Sequence, residues 1–139
     1  MKKILIAEDN PVNRELLREL LELQGFQVSE VCDGQQALEA IAQDEPDLVI
    51  LDIGMPVLDG FGAIRRIRAE PTTAKLLVLA ATAYAMRGDK ERVLEAGFDG
   101  YLSKPIDNAS LTAEVKRLLS GKGDLKASAA AAGVKGSSK

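Results

Sequence analysis

Asp52 closes the apolar run Leu48-Val49-Ile50-Leu51, and the turn Ile53-Gly54-Met55-Pro56 follows at once. A carboxylate at the carboxyl end of a buried strand lies where open α/β sheets hold their ligands. An isolated charge there is costly unless a metal, a cation or a hydrogen-bond donor stands beside it. Candidates occur at the ends of three other apolar runs: Glu8 and Asp9 after the first, Thr82 after the fourth, and Lys104-Pro105 after the fifth. Each has an ordinary explanation alone. A threonine at a strand end is commonly a helix cap, a loop lysine a solvated charge, and an acidic pair a helix-start charge. Their joint placement at successive strand ends is what points to a site.

Three clustered carboxylates repel one another unless a cation sits among them. The chain has no histidine and one cysteine, so the ligands available are oxygens, which favours Mg²⁺ over Zn²⁺. The turn after Asp52 would let Gly54 add its backbone carbonyl. Lys104 supplies a second positive charge, as a point charge suited to phosphate. The combination is a phosphoryl-transfer site: Asp52 as nucleophile, the metal and Lys104 neutralising phosphoryl oxygens, Thr82 donating a hydrogen bond.

These side chains need a scaffold of alternating strands and helices, and the sequence supplies it. Apolar runs at 3–7, 26–31, 47–52, 76–81 and 100–103 read as strands, and 11–24, 35–43, 61–70, 89–96 and 108–119 read as helices. Asn10 caps the first helix, Pro11 opens it and Gly25 stops it. Ala37, Leu38, Ile41 and Ala42 share one side of the second helix, and Phe61, Ile64 and Ile67 recur at helical spacing in the third. Five strand–helix repeats predict a parallel sheet covered on both faces and joined by right-handed crossovers. The unbroken apolar runs at 48–51 and 76–81 fit central strands.

The composition narrows the function further. The length of 139 residues is one domain's worth, and 46% hydrophobic residues are enough for one core. A net charge of −3 gives no footprint for nucleic acid. No apolar stretch approaches a membrane span, and Met1-Lys2-Lys3 leads into a short strand rather than a signal peptide. The expectation is a cytoplasmic protein with neither a nucleic-acid nor a membrane partner. Cys32 is expected to be a small half-buried residue near a strand end. Residues 121–139, rich in Ala, Gly, Ser and Lys, are expected to form a flexible tail after a domain at 1–120.

The motifs Ile6-Ala7-Glu8-Asp9-Asn10, Leu51-Asp52-Ile53-Gly54-Met55-Pro56, Leu58-Asp59-Gly60, Ala81-Thr82-Ala83 and Tyr101-Leu102-Ser103-Lys104-Pro105-Ile106 together resemble the receiver domain of two-component response regulators, the CheY-like fold. The resemblance covers about residues 2–120 and implies strand order 2-1-3-4-5. It further implies that Asp52 accepts a phosphoryl group from a phosphohistidine on a sensor histidine kinase or a histidine phosphotransfer protein. Glu8, Asp9, Asp52 and the Gly54 carbonyl would then hold Mg²⁺, and Thr82 and Tyr101 would act as a switch pair that repacks the surface of the fourth helix, fifth strand and fifth helix, where a downstream protein binds. Such a chain is a phosphoacceptor switch, not an enzyme in the ordinary sense, though it assists its own phosphorylation and dephosphorylation. The missing histidine agrees with a donor on another chain.

Gly54 and Tyr84 are less typical of that family and are expected to set the phosphoaspartate lifetime. The first helix carries Val12, Leu16, Leu20 and Leu23 beside Leu17 and Leu21, too wide an apolar face for one buried stripe. In the family the chain resembles, the helix after the acidic pair docks the phosphodonor, so the resemblance implies that Val12, Asn13, Leu16 and Leu20 form that patch. Met55-Pro56 and Asp59-Gly60 are turn chemistry that shapes the loop holding Asp52. Phe61 and Met86 are expected at the core or its boundary. With no room for an output domain, the expected role is a stand-alone receiver similar to DivK-like and hybrid-kinase receivers. The alternative is a phosphorelay intermediate that passes the group onward. A haloacid-dehalogenase-type phosphatase would also use Asp, Mg²⁺, Thr and Lys, but it needs a second Asp where Gly54 stands. A receiver working without phosphorylation is disfavoured by the intact set Glu8, Asp9, Asp52, Thr82 and Lys104.

Overall fold

The structure is a computed structural model describing residues 2–83 and 89–131. Its elements run β1 (Lys3–Ala7), α1 (Pro11–Leu23), β2 (Gln27–Val31), α2 (Gly34–Gln43), β3 (Leu48–Asp52), α3 (Gly60–Ala69), β4 (Leu77–Thr82), α4 (Asp89–Ala96), β5 (Gly100–Ser103) and α5 (Asn108–Ala131). The strands form one parallel sheet in the order β2-β1-β3-β4-β5. β1, β3 and β4 are buried along nearly their whole length, as strands covered on both faces must be.

Strand alternation sorts the core into two layers. Ile4, Ile6, Leu48, Ile50, Leu77 and Leu79 face Leu17 and Leu21 of α1 and Leu111, Val115 and Leu118 of α5. The intervening residues, among them Leu5, Val49, Leu51, Val78 and Ala80, face α2, α3 and Val93 of α4. This interleaving fixes the register: a slip of one residue would move every strand side chain into the wrong layer.

The loops at the carboxyl ends of the strands are short and tied down. The Asn10 side chain accepts from the N–H groups of Val12 and Asn13 at 2.9 and 3.0 Å. Asp33 caps α2 through the Gln36 N–H at 2.8 Å, and Asp59 caps α3 through the Gly62 N–H at 2.8 Å. Each cap satisfies helix donors that would otherwise be orphaned. Gly60 is required by packing, because a Cβ there would lie 2.7 Å from the Ile53 Cα and 3.0 Å from the Asp52 carbonyl oxygen. Gly60→Ala should therefore cost about 1–3 kcal/mol by forcing the backbone apart, displace Asp52, and slow any reaction at its carboxylate. Urea denaturation and a phosphorylation time course would show both effects together.

Three expectations need correction. Cys32 is exposed, because it follows edge strand β2 instead of tucking beneath it. Ala42 faces solvent while Ala37 and Ile41 carry the buried side of α2. The last helix runs past the expected stop at 119 to Ala131, since the alanine-rich stretch supplies the best helix former and Gly121 and Gly123 do not interrupt it. Met86 and Tyr84 lie outside the described residues. Phe61 is a boundary residue, partly buried against the core and edge-on to Phe98 at 6.3 Å.

Candidate phosphoryl-transfer site

The first two strands of the site are in register to deliver acids to one spot. Ala7 pairs with Leu51, so Glu8 and Asp52, each one residue beyond that pair, leave the sheet side by side. Oxygen atoms of Glu8, Asp9 and Asp52 all lie within 4.8 Å of one another. Glu8 is 1% exposed and Asp52 5%, whereas Asp9 is open to solvent.

Lys104 reaches in from the loop after β5. Its Nζ stands 2.9 Å from Glu8 Oε1 and 3.2 Å from Asp52 Oδ2. The Lys104 N–H donates to the Thr82 carbonyl at 2.8 Å, which ties the end of β4 to the lysine's own backbone. Asp52 Oδ1 accepts from the Gly54 N–H at 3.1 Å, and Glu8 Oε2 accepts from the Asn10 N–H at 3.1 Å.

The charges do not balance. Burial pushes the Glu8 carboxyl above its ordinary value, and the contacts with Lys104 and the Asn10 N–H offset only part of that push, while the Asp52 charge adds to it. Burial works to lower Lys104, but the two carboxylates outweigh it and hold the ammonium above its usual value. Glu8 Oε1 has Lys104 Nζ at 2.9 Å, and the same ammonium also serves Asp52 Oδ2 at 3.2 Å, so two buried carboxylates share one counter-charge. With Asp9 beside them, these carboxylates leave the cluster net negative, and a further cation would neutralise it. The oxygen-only ligands fit a hard ion such as Mg²⁺. Beside Gly54 the surface is open, and an added Cβ would meet nothing within 4 Å.

Thr82 is buried at the end of β4, one residue beyond the Asp52–Ala81 pair. Ala80 pairs with Tyr101, so Thr82, two residues on from Ala80, belongs to the same sheet face as Tyr101. Tyr101 is half-buried against the α2–α3–α4 layer and lines a cleft of about 880 Å³ with Lys90, Leu94, Pro105 and Arg117.

On α1, Val12 and Leu16 are exposed, at 75% and 44%, and line a shallow depression with Pro11, Glu15 and Glu19. Asn13 is half-buried beside them. Leu20 is half-buried and packs partly against the core, and Leu23 is a further exposed leucine on the helix. Sequence reasoning missed Arg14, whose Nη1 donates to the Glu8 carbonyl at 2.9 Å. On a helix of mixed charges it reads as a solvated cation, and nothing in its spacing distinguishes it.

The family model for the response regulator receiver domain matches residues 4–116. The polar-differentiation response regulator DivK of Brucella anthropi is 33% identical over 118 residues, spanning 85% of this chain and 96% of DivK. The response regulator PleD of Caulobacter vibrioides is 40% identical over 116 residues, which span 84% of this chain but 26% of PleD. Among solved structures, the receiver domain of the sensor histidine kinase PA1611 from Pseudomonas aeruginosa, with a magnesium ion coordinated in its active-site cleft, superposes with a TM-score of 0.77 at 39% identity, covering 84% of this chain and 95% of that one.

Proposed function

Because this chain belongs to the response regulator receiver domain family of two-component signalling, we propose that Asp52 accepts a phosphoryl group from a partner's phosphohistidine in the presence of Mg²⁺ and passes the signal on through protein contacts. The observation that carries the reading is the placement of Lys104 between Glu8 and Asp52 with the Asp9 carboxylate alongside. Glu8, Asp9, Asp52 and the Gly54 carbonyl would hold a bound Mg²⁺, which would supply charge neutralisation for the phosphoryl oxygens. An Asp52 oxygen attacks phosphorus and the P–N bond breaks. The bonding electrons return to the imidazole nitrogen, which leaves as neutral imidazole when its other nitrogen carries a proton. Lys104 balances the charge that the acceptor gains.

The phosphorylated state is read through Thr82 and Tyr101. Their shared sheet face supports coupling: a Thr82 hydroxyl drawn toward the phosphoryl group frees space into which the Tyr101 ring turns. That repacks the cleft between α4, β5 and α5, where a downstream protein binds. The phosphoryl group acts by preferring one of two states, so the change is a population shift. Profiling transfer from a panel of phosphorylated histidine kinases and phosphotransfer proteins tests the reading, and it also distinguishes a terminal switch from a relay intermediate that gives the group up to a second histidine.

Donor docking on α1 makes a separate prediction. Leu16→Lys should slow transfer from the protein donor about tenfold or more, as loss of a buried apolar anchor does, while phosphorylation by acetyl phosphate keeps its rate. Equal losses in both assays would mean a damaged site. Gly54→Leu should fill the open space beside Asp52 and slow phosphoaspartate hydrolysis severalfold by excluding water. An unchanged decay rate would remove Gly54 as a determinant of lifetime.

A further inference from the structure

We propose that Arg14 is a positioning residue for the metal ligands: it fixes the peptide joining Glu8 to Asp9 and so sets the affinity of the site for Mg²⁺. The inference rests on the functional reading above. β1 ends at Ala7, and its last pair with β3 is Ala7–Leu51, so the Glu8 carbonyl lies beyond the ladder. Arg14 Nη1 takes that carbonyl at 2.9 Å. Its Nε simultaneously donates to Glu30 Oε1 on β2 at 3.1 Å. Glu30 is in turn held by Arg18 Nη1, one helical turn on, at 2.5 Å through its other oxygen. On the preceding peptide, which joins Ala7 to Glu8, the Glu8 N–H donates to the Val31 carbonyl at 3.2 Å.

The arrangement ties three elements to one residue. Glu30 pairs with Ile6 in the sheet, so Arg14 is anchored to a fixed point and its planar fork has two directed contacts. With the Glu8 N–H and carbonyl both held, the backbone from which the Glu8 and Asp9 carboxylates project has little freedom. Arg14 and Glu30 are mostly covered, with side-chain exposures of 19% and 24%, so neither is a solvated surface charge. Groups that orient metal ligands commonly carry a tenfold or greater share of metal affinity.

Charge and geometry predict opposite outcomes, which makes the proposal testable. Removing a cation beside a cation site should tighten Mg²⁺ binding if only charge matters. Removing a positioning group should weaken it. Calorimetric titration of the full chain with MgCl₂ should show Arg14→Met binding about tenfold more weakly than the unaltered protein, and Arg14→Lys, which keeps the charge but not the fork, should remain weak. Thermal unfolding in EDTA should show both variants folded. Equal or tighter binding by Arg14→Met would overturn the proposal. Should Arg14→Met fail to fold, Glu30→Gln decides instead: a weakened affinity supports the proposal and an unchanged one overturns it. If the unaltered chain binds no Mg²⁺, the functional reading itself fails and the inference falls with it, an outcome distinct from a variant that binds as well as its parent.

Discussion

Asp52→Asn is expected to abolish phosphoryl acceptance while leaving the fold intact or slightly stabilised. The amide has the shape of the carboxylate but lacks the anionic oxygen that must attack phosphorus. Glu8 and Asp9 are poor substitutes. Glu8 is 1% exposed and engaged by Lys104 and the Asn10 N–H, and Asp9 faces solvent at the rim. Stability should not suffer, because Asp52 is one of three mutually repelling acids, and its neutral form leaves Lys104 paired with Glu8. Transfer assays paired with thermal unfolding in EDTA check both halves: acceptance falls below detection, and the melting temperature stays level or rises.

Lys104→Met is expected to have the largest effect on stability at the site. It leaves Glu8 buried beside Asp52 with no counter-charge, and breaking a buried pair by removing one partner costs about 3–5 kcal/mol. The cost is capped because Glu8 can take up a proton instead. Burial already raises its carboxyl, and losing Lys104 raises it further. The sign follows from that direction: a raised acid favours the protonated, low-pH folded form. The deficit of the variant should therefore be smallest below the ordinary glutamate value of 4.5 and grow as pH rises through the raised one. Mg²⁺ should recover part of the loss at neutral pH, where the parent chain gains less. Urea denaturation at several pH values, with Mg²⁺ and with EDTA, checks this. A deficit that shrinks as pH rises would contradict the account of Glu8.

The scaffold was legible because its signals are periodic. Runs such as Leu48–Leu51 and Leu77–Ala80 have one reading once helical patterns flank them, and strand-end placement then brings Glu8, Asp9, Asp52, Thr82 and Lys104 to one rim. Where periodicity says nothing, expectation failed. Cys32 depends on which strand lies at the sheet edge, and Ala42 on how far the buried side of α2 extends. The end of α5 turned on two glycines that a run of alanines outweighs. Arg14 matters through a backbone carbonyl, a partner that carries no sequence signature. Arg68 is similar: it donates to the Gly97, Ala74 and Leu76 carbonyls and to Asp99, closing the far end of the sheet between α3, β4 and β5 through contacts that only the folded chain defines.

The most direct test is to map the modified residue after transfer. The chain is incubated with a phosphohistidine donor and Mg²⁺, the acyl phosphate is reduced with borohydride, and peptides are sequenced by mass spectrometry. The account predicts a single labelled residue, Asp52, and no label when EDTA replaces Mg²⁺. Label on another residue, label that forms equally well without a divalent ion, or no label from any phosphohistidine donor across a full panel would contradict it.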